Sequence, residues 1–117
     1  MSREVFKART KAFAVRVINL VDALPRDAVS STLGRQLLRA GTSVAANYRA
    51  AVRGRSPADF VAKMGIVEEE CDEALFWMEL LIESRRLKAE RVSELMREGS
   101  EILAITVASI KTARRVR

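Results

Sequence analysis

Apolar side chains recur at intervals of three and four residues in four successive stretches of the chain. This spacing places them on one face of an α-helix, whereas a half-buried strand would alternate every second residue. The pattern therefore predicts four amphipathic helices, at about residues 4–24, 28–53, 57–86 and 89–114. In the third stretch the intervals are fours and threes from Phe60 to Ile82, which is typical of helices that pack into bundles.

Start and stop signals lie between these stretches. Pro25 ends the first helix, and Asp27 or Ser30 is placed to cap the second. Gly54 is a candidate C-cap for the second helix. Residues 56–59 then supply a serine N-cap, a proline at the first helical position and an acid in the first turn. The boundaries of the third helix are therefore well marked.

Only short connections separate the four helices, so consecutive helices must run antiparallel. We expect an all-α, up-down-up-down four-helix bundle that forms a single domain over residues 1–117. Gly34 and Gly41 lie inside the second helix, where each costs about 1 kcal/mol relative to alanine. We attribute both glycines to close approach of a neighbouring helix.

The third and fourth helices carry more apolar residues than one core-facing stripe needs. Phe76 and Trp77 lie beside the stripe of the third helix, and Ile102 and Ile105 lie beside a fourth-helix stripe drawn through Leu103. A helix that is apolar on more than one side is buried on more than one side, which favours a subunit interface of a homo-oligomer. The alternative is a wide core with some exposed apolar atoms.

The composition excludes several kinds of site. The chain of 117 residues has no histidine and a single cysteine, Cys71. A Ser-His-Asp triad, a Cys-His dyad, a histidine-ligated metal and an intrachain disulfide are each missing a required residue. We therefore predict no catalytic residues, no cofactor and no metal, and hence a protein that is not an enzyme.

The N-terminus lacks the apolar segment of a secretory signal, and the longest apolar stretch, residues 102–110, is shorter than the roughly 20 residues of a membrane span. These features predict a soluble, cytoplasmic protein with a reduced Cys71 and no membrane partner.

Four short motifs lie in the second and third helices. They are Gln-Leu-Leu-Arg-Ala at 36–40, Ser-Val-Ala-Ala-Asn at 43–47, Arg-Ser-Pro-Ala-Asp-Phe at 55–60, and Glu73. This arrangement resembles the 23S rRNA intervening-sequence protein family, also called the four-helix-bundle protein family. Two positions depart from the family pattern: Ala45 stands where a proline is common, and residues 50–51 are Ala-Ala instead of Glu-Gly.

The resemblance implies a four-helix bundle that assembles as a homopentameric ring and carries no enzymatic activity. It also implies a relation to the accessory proteins of diversity-generating retroelements, which bind nucleic acid and a reverse transcriptase. The partners to expect are therefore further copies of the chain, RNA or DNA, and another protein.

The motif residues also have a structural interpretation. Antiparallel pairing across the Arg55 loop puts Arg39 opposite the turn from Glu70 to Glu73, so we predict a charge-assisted contact between Arg39 and Glu73. Ser43 and Asn47 are one turn apart, where they can bond each other or a backbone carbonyl. The alternative is that these four side chains form a polar pocket for a ligand.

The acidic run at residues 68–73 suggests a carboxylate metal site, but such sites in bundles also use histidine and acids from other helices. The second helix region, residues 28–58, has five arginines and no acid, whereas residues 57–84 have eight acids and one lysine. Opposite charge on these two helices, within or between subunits, is the better explanation of the run.

The bundle topology collects basic residues at one end, where the N-terminus, the connection between helices two and three, and the C-terminus meet. This basic pole comprises the following candidate nucleic-acid contacts, with Arg9 beside them: Arg3, Lys7, Lys11, Arg49, Arg53, Arg55, Lys63, Lys111, Arg114, Arg115 and Arg117. The net charge of the chain is +6. A basic pole repeated in an oligomer is suited to binding phosphates without sequence preference.

Two alternatives remain beside this hypothesis. Basic residues near helix C-termini also complement the helix dipole and aid solubility. The chain could instead be a protein-interaction scaffold without a role in nucleic-acid binding.

Overall fold

A computed structural model describes residues 1–116, and the side chains of residues 1–115. The described residues form four helices: α1 (Arg3–Asp22), α2 (Ala28–Val52), α3 (Pro57–Glu83) and α4 (Ala89–Val116). The predicted all-α four-helix bundle is confirmed, and each predicted boundary lies within three residues of the observed one.

The predicted capping signals act as expected at the starts of α2 and α3. The Asp27 carboxylate accepts a hydrogen bond from the backbone N–H of Ser30 at 2.9 Å, so Asp27 and not Ser30 is the cap of α2. The Ser56 hydroxyl accepts from the backbone N–H of Asp59 at 3.1 Å. Each bond satisfies a donor that the first helical turn leaves unpaired.

The ends of α2 and α3 differ from each other. The φ of Gly54 is not positive, so this glycine does not provide a left-handed C-cap. Its role is steric, because a Cβ at this position would lie 2.9 Å from the carbonyl oxygen of Ala51. The left-handed residue is Arg85, with a φ of 65°, after the end of α3. The backbone N–H of Arg86 donates to the Leu81 carbonyl across it at 2.9 Å, as in a Schellman motif.

The helices occupy four corners of an elongated bundle of 48 × 22 × 20 Å. Within the described chain, α2 and α3 pack against each other most extensively, α1 and α4 pack least, and α1 and α3 lie at diagonal corners. The helix order around the bundle is therefore α1, α2, α3, α4.

Three glycines permit close helix approach. A Cβ at Gly41 would lie 2.7 Å from Cγ1 of Val17, and one at Gly34 would lie 3.0 Å from Cδ1 of Leu24, just after α1, and 3.4 Å from Cγ1 of Val21 in α1. Gly99 of α4 similarly faces Leu75, at 2.9 Å. The interpretation of Gly34 and Gly41 as close-approach positions is therefore confirmed.

The predicted stripe of α4 was wrong at its centre. Its buried side runs through Gly99, Ile102 and Thr106, so Ile102 is 0% exposed and belongs to the core. Ile102 consequently offers no surface to another subunit. Leu103, which was predicted to point inward, is only half-buried.

No helix among the described residues combines the length and the apolar character needed to cross a membrane.

Candidate nucleic-acid interface and neighbouring sites

The basic pole is formed by parts of all four helices. The N-termini of α1 and α3 and the C-termini of α2 and α4 border a common cleft at this end, with residues 1–6, 48–60 and 105–113 contributing to its walls. Two helix N-termini and two C-termini meet here, so their dipoles largely offset one another. The charge of this end is consequently set by its side chains.

Most of the predicted contact residues lie on the surface of this end. Lys7 and Lys63 are half-buried. The exposed members are Arg3, Lys11, Arg49, Arg53, Arg55, Lys111, Arg114 and Arg115. Arg117, the last predicted contact, lies outside the described residues.

Two bases near the pole are neutralised by acids. Lys63 pairs with Asp59 at 3.1 Å, and hydrogen bonds from Lys63 and from the Arg55 backbone N–H hold the pKa of Asp59 below its ordinary value. Arg9 makes a two-pronged bond to Glu98, at 2.9 and 2.5 Å. This bond raises the pKa of Arg9 and ties α1 to α4. Lys63 and Arg9 are therefore poor candidates for phosphate contacts.

The other bases of the pole have no acidic partner among the described residues. Arg3 lies with its guanidinium carbon 4.8 Å from the ring centroid of Phe60, a cation–π contact that leaves its charge unneutralised. Nine predicted contacts thus remain available to an anion: Arg3, Lys7, Lys11, Arg49, Arg53, Arg55, Lys111, Arg114 and Arg115.

The cleft in the middle of the pole was not predicted from the sequence. It has a volume of about 810 Å³ and lies between the first turns of α1 and the last turns of α4, the pair of neighbouring helices that pack least. Phe6 and Tyr48 form part of its wall as an edge-to-face pair with ring centroids 4.7 Å apart. Tyr48 is 3% exposed, and this burial raises the pKa of its hydroxyl. The sequence signal for this cleft is the pair of small residues Ala108 and Ala113, which leave space on the side of α4 that faces it.

The predicted polar motif lies on the neighbouring α2–α3 surface. Nη2 of Arg39 contacts the carboxylate of Glu73, as predicted, and Nη1 contacts Glu70 at 2.9 Å. The side-chain amide of Asn47 donates to the Ser43 carbonyl at 2.9 Å. Arg39 and Asn47 thus bond different partners, and the four motif residues do not converge on one pocket.

The four predicted interface residues differ in exposure. Phe76 is 47% exposed, and its ring packs edge-on against Trp77 at a centroid distance of 5.2 Å. Trp77 is half-buried and donates from its indole N–H to Glu73 at 3.3 Å. Ile105 lines the pole cleft, whereas Ile102 lies in the core.

The sequence reasoning missed an apolar stripe on the side of α1 that faces away from the core. It comprises Val5, Ala8, Ala12 and Val15, all exposed, with Ile18 at its edge. The intervals of three, four and three residues were visible in the sequence, but the stronger core-facing periodicity of the same helix concealed them. We refer to these residues as the outer stripe of α1.

Cys71 is buried, and its thiol donates to the carbonyl oxygen of Gly99 at an S–O distance of 3.2 Å. Burial raises its pKa to about 12, so the thiol is neutral at physiological pH. Within residues 1–116, no group of three or more cysteine and carboxylate side chains is arranged to hold a metal ion.

Comparisons with known proteins agree with this architecture. A protein of unknown function from the S23 ribosomal protein family of Bacteroides thetaiotaomicron is 34% identical, and its crystal structure superposes with a TM-score of 0.88. That match covers 95% of this chain and 99% of the other. A comparison with curated proteins gave no match. The family model described as the 23S rRNA-intervening sequence protein matches residues 4–108, and the chain therefore belongs to this family.

Proposed function

We propose that this protein is a non-enzymatic homo-oligomer that binds the phosphate backbone of nucleic acid through its basic pole. The observation that carries the proposal is the group of nine bases at one end that no described acid neutralises. Cations concentrated in this way attract a polyanion and release its counterions on binding. We recognise no sequence-reading motif among the described residues of the pole, so we expect binding that tolerates different sequences.

A homo-oligomer is supported by two complementary surfaces on opposite sides of the bundle. The outer stripe of α1 is flanked by two exposed bases, Lys11 and Arg16, that have no acidic partner among the described residues. The outward side of α3 presents exposed Ile66 and Phe76 among four exposed acids: Glu69, Asp72, Glu79 and Glu83. Among the described residues, these four acids have no cationic partner. The charges and apolar side chains of the two surfaces therefore match.

Gly65 adds a second line of support. It lies within α3, where glycine costs about 1 kcal/mol relative to alanine. Unlike Gly41, it has no described atom from outside its own stretch of helix within 4 Å of the position a Cβ would take. No described neighbour in the same chain therefore accounts for this glycine, whereas close approach by α1 of a second copy would.

Helices α1 and α3 lie at diagonal corners, so the two complementary surfaces of one copy face opposite ways. In the assembly, the α1 surface of one copy contacts the α3 surface of the next. Such head-to-tail contacts form rings when the rotation closes. The ring number that the family resemblance implies is five. A ring places several basic poles on one side, which strengthens binding to a long polyanion through multivalency.

Fluorescence anisotropy with labelled single- and double-stranded RNA and DNA, at increasing salt, tests nucleic-acid binding. We expect affinity to fall steeply with salt. Replacing Arg53, Arg55 and Arg114 by glutamine should reduce the salt slope by about 0.7–0.9 for each phosphate contact removed. The matched control replaces Arg26, Arg35 and Arg91, which are exposed and lie outside the pole. No binding at low salt, or an equal loss in the control, contradicts the proposal.

Light scattering of three glutamate variants tests the assembly. Val15→Glu and Phe76→Glu should each dissociate the oligomer, whereas Val29→Glu should not, although Val29 is 45% exposed. Mixing the first two variants restores one undamaged α1–α3 contact and should yield dimers. A monomeric wild-type protein, or an oligomer that survives both substitutions, contradicts this assembly.

The second candidate function is a protein-interaction scaffold in which the acidic outward side of α3 binds another protein instead of a second copy of this chain. We also propose a relation to the accessory proteins of diversity-generating retroelements and a cytoplasmic location. Both are compatible with either candidate function. Capture of partners before and after nuclease treatment separates the two candidates. Partners that stay bound after nuclease support the scaffold, and partners that are released support the basic pole.

A further inference from the structure

The pole cleft lies among the unneutralised bases, yet its walls are largely apolar. The rings of Phe6, Tyr48 and Phe60 line one part, and small α4 residues, among them Ala108 and Ala113, line another. Its volume of about 810 Å³ falls within the range of pockets that hold small organic groups. A phosphate backbone alone would gain little from contact with such walls, because its outer surface is charged and hydrated.

The hydroxyl of Tyr48 is the second observation. The side chain is 3% exposed and borders the cleft, and the part of it that remains accessible includes a hydroxyl that bonds no described group. A hydroxyl in this position is available to a ligand in the cleft. Ser109 and Thr112 place two further hydroxyls along the same cleft. The cleft therefore offers apolar walls and accessible hydroxyl groups together.

Two guanidinium groups border the cleft. Arg55 and Arg3 are both exposed and have no acidic partner among the described residues, and Arg3 already lies over an aromatic ring. Guanidinium groups bind phosphate oxygens and also stack on planar rings. A ligand with a planar, hydrogen-bonding body and adjoining phosphates matches all three parts of the cleft.

We propose that the pole cleft receives one unpaired base of a single-stranded nucleic acid, while Arg3 and Arg55 hold the phosphates on either side of it. The inference rests on the proposed function, because the basic pole supplies most of the attraction. Insertion of a base requires that it be unstacked and unpaired, so a single strand binds more tightly than a duplex. Any base can enter, because apolar contact with its faces does not depend on its identity.

Filling the cleft tests the inference. Ala108→Phe places a ring in the cleft, and Ala104→Phe, one turn earlier on an exposed position outside it, is the matched control. We expect Ala108→Phe to weaken binding of a labelled twelve-nucleotide DNA single strand roughly ten-fold or more, as expected for the loss of one base contact. Affinity for inorganic polyphosphate, which has no bases, should stay unchanged. Tyr48→Phe should weaken only the single strand, by a few fold.

An abasic strand of the same length gives a measurement that requires no variant. It should bind the wild-type protein about as weakly as the normal strand binds Ala108→Phe. If polyphosphate and the abasic strand bind the wild type as tightly as the normal strand, the cleft inference is wrong and the basic pole stands. If no polyanion binds at low salt, the proposed function fails together with the inference.

Discussion

The α2–α3 pair and the α1–α4 pair are the two extremes of helix packing in this bundle. Helices α2 and α3 pack most extensively, and Arg39 joins them through contacts to Glu70 and Glu73. Helices α1 and α4 pack least, Arg9 ties them together, and the pole cleft lies between their ends. The difference shows that one side of the bundle is built for packing, while the other leaves apolar surface open among bases.

The largest expected effect is the loss of stability when a core side chain is truncated, compared with the loss when a side chain of the cleft is truncated. Leu37→Ala should lower the free energy of unfolding by about 2–5 kcal/mol, because Leu37 is 0% exposed and its removal leaves a cavity. Ile105→Ala should cost about 1 kcal/mol, because Ile105 is half-buried and already borders open space. Urea denaturation measures both values. Equal losses would show that the cleft is as closed as the core.

Cys71 supplies a pH test of the closed side. Burial raises its pKa from 9.0 to about 12, so over this pH range the unfolded chain loses the thiol proton while the folded chain keeps it. Stability from this group is fully present below pH 9 and should fall by up to about 1.4 kcal/mol per pH unit above it. Denaturation at pH 8 and pH 10 measures the decline. Cys71→Ala should show a smaller decline, and an identical decline in both proteins would contradict the burial of the thiol.

The ion pair between α1 and α4 should stabilise the protein more than the ion pair between α2 and α3, although α1 and α4 pack less extensively. The Arg9 and Glu98 side chains are 24% and 22% exposed, whereas those of Arg39 and Glu73 are 49% and 36% exposed. Double-mutant cycles with leucine should give a coupling energy of about 1 kcal/mol for Arg9–Glu98 and about 0.5 kcal/mol for Arg39–Glu73. Thermal denaturation in low and high salt measures both cycles. Zero coupling for Arg39–Glu73 would leave its contact without a role in stability.

The smallest effect lies outside both helix pairs. Arg85 has a φ of 65°, which glycine adopts without steric cost. Arg85→Gly should therefore raise the free energy of unfolding by about 0.5 kcal/mol and leave nucleic-acid binding unchanged. Ser84→Gly, at the preceding residue with a φ of −86°, should not stabilise the protein and serves as the control. A stabilisation of equal size in both variants would contradict the conformational explanation.

The features that the sequence predicted correctly depend on nearby residues. Asp27 and Ser56 cap helices through bonds three residues away. The Arg39–Glu73 contact also followed, because a connection of only four residues, 53–56, fixes how α2 and α3 align. Local geometry was sufficient in each case.

The errors have a common physical cause. The stripe of α4 passes through Gly99, which has no side chain to mark a buried position, so the sequence favoured Leu103 over Ile102. Phe13 and Leu75 fill the space that Gly99 leaves. The outer stripe of α1 was missed because its exposure depends on which side of α1 the core occupies.

The amino-acid pattern alone specified four helices, their caps and the concentration of bases at one end, since these follow from periodicity, local hydrogen bonds and topology. Tertiary structure decided which bases are neutralised, and it created the pole cleft. Helices α1 and α4 are the first and last of the chain, and no short connection fixes their separation. The gap between them depends on how all four helices pack, which no local stretch of sequence encodes.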